Sequence, residues 1–131
     1  RVEVVSPERV LFSGEGTQVI TRTLEGGEVA FLPGHAAFLG ALTQNHTRIY
    51  LADGSIQNLA VHLGFVEVGP DHVTILSDAA ELEEDIDVAR ARAAKARAEE
   101  QMRTEHSAEV EGDLRRAHAR LAATGGIEAS H

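Results

Sequence analysis

Near Glu81 the chain changes character, and this break limits what it can fold into. Before it, β-branched residues, glycines and short apolar alternations dominate; after it come fifty residues rich in Ala, Arg and Glu. All three prolines precede the break, and eight of the twelve Lys and Arg follow it. The first stretch has the period of strands and the second the composition of helices, so a β body followed by a helical tail is expected.

Apolar residues recur at spacing two in the body: Val2 and Val4, Val10 and Phe12, Val29 and Phe31, Ile49 and Leu51, Phe65 with Val66 and Val68, Val73 and Ile75. Each run reads as a strand with one buried face. Turn signals separate them at Ser13-Gly14-Glu15-Gly16, Glu25-Gly26-Gly27, Ala52-Asp53-Gly54-Ser55 and Gly69-Pro70-Asp71. Asp53-Gly54 suits a tight hairpin, because both residues tolerate positive φ. Turns this frequent without intervening helices predict an antiparallel sandwich or flattened barrel and argue against a parallel Rossmann sheet.

Several function classes find little support. A net charge of −9 disfavours general affinity for nucleic acid, which rests on cationic neutralisation of phosphates. No apolar run approaches the roughly 20 residues of a membrane span, so a membrane link is expected only through partners. The absence of cysteine rules out disulfides and thiolate zinc sites and is compatible with a reducing compartment. Gly14-Glu15-Gly16 lacks the rest of a dinucleotide fingerprint and reads as a turn. Histidines at 35, 46, 62, 72, 106, 118 and 131 have no metal-binding spacing, and no G-x-S-x-G elbow occurs, so neither a metal site nor a catalytic residue is proposed. Asn45-His46-Thr47 has the form of a glycosylation acceptor and is read as a polar turn.

In the tail, Asp85 to Met102 suits a helix of about 18 residues, some 27 Å long, opened by acids that favour the positive end of its dipole. A second helix over Ala108 to Ala123 carries Val110, Leu114, Ala117 and Leu121 as a narrow apolar stripe. Thr104 to Ser107 is the expected turn, and Thr124-Gly125-Gly126 the stop. Alanine favours helix yet buries little area, so the hairpin is expected to dock marginally. Such an element can be redirected by a ligand or neighbour, or can sit as an ordinary Ala-rich surface hairpin. Ile86, Arg90, Ala93 and Arg97 share one helix face, and Arg116 and Arg120 are one turn apart. In an antiparallel hairpin four arginines could converge on a polyphosphate; the same spacing suits solvated arginines paired with nearby glutamates.

Particular strings go further. Ser6-Pro7-Glu8 with Leu11-Phe12-Ser13-Gly14-Glu15, then Gly27 to Ala36 (GEVAFLPGHA), then Ala60 to Val68 (AVHLGFVEV), and Ile86-Asp87-Val88-Ala89-Arg90-Ala91, resemble the epsilon subunit of F-type ATP synthases over nearly the whole chain. Two departures are Ala37, where many relatives have proline, and Leu63, where many have a second glycine. The family's initiating residues are absent before Arg1, so the chain reads as trimmed.

The resemblance implies a sandwich of about ten strands over 1–82 that binds the gamma subunit and the c-ring, a two-helix regulatory domain over 83–124, and a flexible tail over 125–131. It implies a non-catalytic rotor part of the central stalk, peripheral to the cytoplasmic face of the membrane, coupling ion flow to ATP synthesis. Its helices would alternate between a compact hairpin and an extended form that meets the catalytic alpha and beta subunits and suppresses hydrolysis. By motif match, Glu28 and His35 fall in a loop region facing the c-ring, although His35 also suits a simple turn. Glu81, Ile86, Asp87, Arg90, Ala91, Arg97, Arg116 and Arg120 match the set that holds a regulatory ATP in some members; no cofactor is required. A freestanding nucleotide-sensing module is the competing reading, and nothing supports an enzyme.

Overall fold

The computed structural model describes residues 1–125, so the tail expected over 125–131 lies, apart from Gly125, outside the described residues. Ten strands form the body: β1 (Val2–Val5), β2 (Val10–Gly14), β3 (Gly16–Thr23), β4 (Gly27–Phe31), β5 (Phe38–Leu42), β6 (Asn45–Leu51), β7 (Ile56–Val61), β8 (Gly64–Gly69), β9 (His72–Leu76) and β10 (Glu81–Leu82). A 3-10 turn, Glu83–Asp85, leads to helices α1 (Val88–Thr104) and α2 (Ala108–Thr124).

Hydrogen bonding runs β10-β7-β6-β3-β5-β8-β9-β1-β2, with β4 paired to β3. The sheet folds over a single core in which Val4, Val19, Phe31, Leu42, Ile49, Leu59, Val61, Val66 and Ile75 are almost wholly buried. Burial of each such side chain contributes roughly 1.5–3 kcal/mol, so the core can hold the body together. The alternation expected at Val2/Val4, Val29/Phe31 and Val73/Ile75 points inward or half inward as read. Two expectations change. The body is not wholly antiparallel, since β1 and β9 run parallel, with Val2 opposite Val73 and Val4 opposite Ile75; joined only through the intervening body, they are free of the hairpin constraint. Nor is Asn45-His46-Thr47 a turn. It opens β6, and the buried Asn45 amide oxygen accepts from the Thr21 and Thr47 hydroxyls at 3.2 and 2.6 Å while its Nδ2 donates to Thr43 O at 2.7 Å. Such a satisfied buried network is stable inside a sheet, whereas a glycan on Asn45 would require it to open.

The β6–β7 connection is the expected hairpin, with Gly54 at φ 91° and its N–H bonded to Leu51 O at 3.0 Å. The β7–β8 connection is strained at Leu63, a non-glycine residue at φ 138°. Its side chain is half exposed, so it gains little from packing. Relief of roughly 1–3 kcal/mol of backbone strain exceeds the roughly 0.5–1 kcal/mol of added chain freedom that glycine brings. Leu63→Gly is therefore expected to raise unfolding stability by roughly 1 kcal/mol in urea titration; a lower midpoint would show that the leucine packs better than its exposure implies.

Helix α1 begins later than the sequence suggests. Asp87 is its N-cap, accepting from Arg90 N at 3.0 Å, while Glu83 and Glu84 accept from Asn58 and Gln57 of β7 at 3.2 and 3.0 Å. The acids expected in the first helical turn thus tether the linker to the sheet. Ser107 caps α2 by accepting from Val110 N at 3.2 Å, and Gly125 ends it in the left-handed conformation. The helices pack on each other, and α2 packs on β6 and β7. Val110, Ala117 and Leu121 are buried as expected, but Leu114 is only half-buried, and α2 buries a second set, Ala119 and Ala123, against Ala60 and Ile86. That seam is made of three alanine methyls and one isoleucine side chain. At about 0.8 kcal/mol per buried carbon it gives a small docking energy beside that of the core.

Candidate functional site

At the junction of body and hairpin lies a cleft of about 280 Å³ bounded by Glu81, Asp85, Asp87, Arg90, Ala91, Ala94, Arg97 and Arg120. The turn at Glu83–Asp85 and the Asp87 cap aim α1 so that Arg90 and Arg97, two turns apart, face the start of the linker. Arg120 reaches the same place from α2. Its Nε donates to Glu81 Oε1 at 2.5 Å, and the same oxygen lies 2.9 Å from Nε2 of His62 on the strand-end after β7. One carboxylate thereby links the β10 strand, the helix and the loop preceding β8.

The protonation states follow from this geometry. Burial acts to raise the Glu81 carboxyl, but the hydrogen bonds from Arg120 and His62 outweigh it and hold the group below its ordinary 4.5. Burial chiefly pushes His62 below 6.5, against its hydrogen bond to Glu81, and the charges of Arg120 and Arg116 push the same way. The imidazole is therefore neutral near pH 7, with the proton on Nε2 facing the carboxylate and a buried Nδ1 that has no hydrogen-bond partner among the described residues.

Both groups take up protons more readily when released than when docked, so both favour the docked chain at high pH and lose that contribution on acidification. The loss starts as pH falls below 6.5, where freed His62 protonates, and deepens below 4.5, where freed Glu81 does. Urea titrations from about pH 7.5 to about pH 5 are expected to show falling stability, with a slope of at most about 1.4 kcal/mol per pH unit for each histidine proton. His62→Gln should reduce the part that begins at 6.5, leaving the share of His46, which burial also pushes below 6.5. Equal stability of the wild-type chain at both ends would remove any role for this pairing.

Of the residues expected to hold ATP, six share the cleft: Glu81, Asp87, Arg90, Ala91, Arg97 and Arg120. The guanidiniums of Arg90 and Arg97 make no ion pair among the described residues, whereas Arg120 is engaged by Glu81. Arg116 lies close enough to influence His62 but forms an ion pair with Asp113 one turn back on α2. Ile86 packs in the seam with Ala60, Ala119 and Ala123 and so positions α1 instead of lining the cleft. Asp85, Ala94 and His62 were not foreseen; only the tertiary fold brings His62 to Glu81, 19 residues away.

The pair Glu28 and His35 is not brought together. Glu28 lies on β4, in a strand and not a loop, with Oε2 3.0 Å from Arg48 NH2. His35 follows the turn at Gly34, bonds back to Leu32 O through its N–H at 3.1 Å, and meets the Phe31 ring edge-on at 5.0 Å. Among the described residues no cluster of His, Asp and Glu could hold a metal ion.

Comparison with known proteins agrees with this division of the chain. The family described as ATP synthase, Delta/Epsilon chain, beta-sandwich domain matches residues 1–83, and that described as ATP synthase, Delta/Epsilon chain, long alpha-helix domain matches residues 84–125. The ATP synthase epsilon chain of Halalkalibacterium halodurans is 44% identical over 130 residues, covering 95% of this chain and 96% of that one. The chain belongs to the ATP synthase epsilon family. The epsilon chain of Brevibacillus brevis is 46% identical over 110 residues, 84% of this chain and 82% of the relative. Among solved structures, a chain of the Euglena gracilis mitochondrial ATP synthase, OSCP/F1/c-ring, superposes with a TM-score of 0.79 at 21% identity, covering 93% of this epsilon chain and 79% of that chain. A chain of the Tetrahymena thermophila central stalk/c-ring structure gives 0.55 at 14% identity, covering 94% of each. At these identities the structural likeness is one of fold.

Proposed function

We propose that this epsilon chain is a non-catalytic central-stalk subunit of an F-type ATP synthase, coupling the ion-driven c-ring to the catalytic head. Its body would grip the gamma subunit and the c-ring, and its helices would restrain ATP hydrolysis by leaving the body and entering between the alpha and beta subunits. The observation that carries this reading is the unequal attachment of the two parts: a body with a continuous apolar core, and a hairpin held by a small seam of alanines and Ile86, the Glu81 carboxylate and a long Arg115–Gln44 bond. An element docked by so little can be moved by a neighbour.

Two further features support it. Leu39, Phe65 and Leu76, on neighbouring strands β5, β8 and β9, are exposed on the outside of the body, an apolar stripe suited to a partner such as gamma. The cleft at the hinge offers two guanidiniums without an ion pair among the described residues, beside Arg120, a suitable recognition set for the phosphates of ATP as a regulatory ligand. No helix among the described residues is long and apolar enough to cross a membrane. The subunit would therefore meet the cytoplasmic face of the membrane only through its complex.

The decisive experiment reconstitutes the catalytic complex with the full chain and with a chain ending after Leu82. Hydrolysis is expected to rise several-fold without the helices while ion-driven synthesis persists; equal hydrolysis rates would end the inhibitory reading. For the nucleotide, ATP is expected to protect the hairpin from protease, and Arg90→Ala to remove that protection. A millimolar Kd corresponds to only about −4 kcal/mol, so millimolar ATP is the concentration to use.

A further inference from the structure

A second basic cleft lies on the opposite flank of α2. Ala119 and Ala123 seat the helix on the sheet. At 3.6 residues per turn, Arg116 and Arg120 then project to one side of that seat, and Arg115, His118 and Ala122 to the other. This other side closes a cleft of about 480 Å³ together with Arg22 of β3, Glu28 of β4, and His46 and Arg48 of β6. It is separate from the hinge cleft and shares no lining residue with it.

Its charge inverts that of the molecule. In a chain of net charge −9, three guanidiniums border one carboxylate, leaving two positive charges in excess. Their donors are poorly used. Arg48 gives NH2 to Glu28 at 3.0 Å, but its Nε is buried without a hydrogen-bond partner among the described residues. Arg22 makes no ion pair among the described residues. Arg115 makes only a long bond to Gln44 Oε1, 3.4 Å, and lies 3.8 Å from Glu111 on its own helix. Buried donors are ordinarily satisfied, so an orphaned Nε beside two weakly engaged guanidiniums marks room for an acceptor.

We propose that this cleft binds a phosphate dianion, either inorganic phosphate or the phosphoryl end of a phosphate ester, between the sheet and α2. The excess of two positive charges matches the dianion while Glu28 stays paired with Arg48. Geometry selects phosphate over carboxylate: the three guanidiniums come from β3, β6 and α2, and a tetrahedral oxyanion presents oxygens in several directions, whereas a carboxylate can be met only in its own plane. Because α2 supplies Arg115 and His118, the site is complete only while the hairpin is docked. The ligand therefore stabilises the compact arrangement by mass action.

The test follows amide hydrogen exchange of α2 in the full chain, in inorganic phosphate against chloride at matched ionic strength. At a phosphate concentration about ten times Kd, opening of α2 is expected to fall about tenfold. The effect should persist in the Arg90→Ala, Arg97→Ala double variant, which changes only the hinge cleft, and should vanish in Arg22→Gln and in Arg115→Gln. Both arginines of the latter pair are exposed, so these chains are expected to fold. In the double-variant background, AMP distinguishes the sources: protection by phosphate alone assigns the free ion, and protection by both admits the ester. Absence of protection by phosphate, its loss in the double variant, or its survival in both Gln variants would overturn the proposal.

Discussion

Gly64→Ala is expected to cost roughly 3 kcal/mol or more of unfolding stability, the largest effect of any single methyl group in the body. A Cβ at this position would stand 2.2 Å from Leu76 O and 3.0 Å from Ser77 Cβ. The first of these is backbone of the β8–β9 ladder, where Phe65 is paired with Leu76, so it cannot swing aside as a side chain would. At φ 155° the position is also one that L side chains rarely adopt. Gly54→Ala is the matched control: its φ of 91° is unfavourable, but among the described residues nothing lies within 4 Å of the added carbon. It is expected to cost only roughly 1 kcal/mol. Urea titration of both variants checks the difference, and similar losses would show that steric crowding at β8 is relieved by a shift of the strands.

Ala123→Glu is expected to free the hairpin without unfolding the body. Ala123 is buried in the seam with Ala60, Ile86 and Ala119, apolar neighbours that cannot hydrogen-bond a carboxylate with their side chains. Burying an unpaired charge costs several kcal/mol, whereas the seam it replaces is worth about 0.8 kcal/mol per methyl. A net change of about 3 kcal/mol would raise the undocked population roughly 100-fold. Hydrogen exchange resolved by segment provides the measurement: α2 should lose protection while β8 and β9 retain theirs. Loss of protection in both at once would show that body and hairpin open as one unit, and the regulatory reading would lose its physical basis.

Much of the fold was legible because its signals are local. Asp53-Gly54 marks its hairpin since a tight turn needs positive φ at the glycine, and Ser107 and Gly125 mark the ends of α2 since helix termini need a side-chain acceptor and a left-handed residue. Strand β3 was harder to see. It turns Thr21 and Thr23 inward, where hydroxyls bond to Asn45, Thr47 and Gly27, so its buried face lacks apolar contrast. The same network disguised the start of β6 as a turn. In α2, the seat on the sheet is Ala119 and Ala123, which a hydrophobic pattern cannot separate from the solvent-facing alanines of α1.

The sequence by itself determined the β body, the helical hairpin, the Asp53-Gly54 turn, the limits of α2, and the placing of Arg90 and Arg97 on one helix face. Each depends on sterics and hydrogen bonds within a few residues. Only the tertiary structure decided that Glu81 holds both Arg120, 39 residues away, and His62, that Ile86 packs in the seam, and that Arg22, Arg48 and Arg115 converge on a second cleft. Glu81 meets His62 because β10 pairs with β7, and the other meetings follow from how a helix with two nearly featureless alanine faces comes to rest on β6 and β7; long-range packing sets both, and no spacing along the chain encodes them.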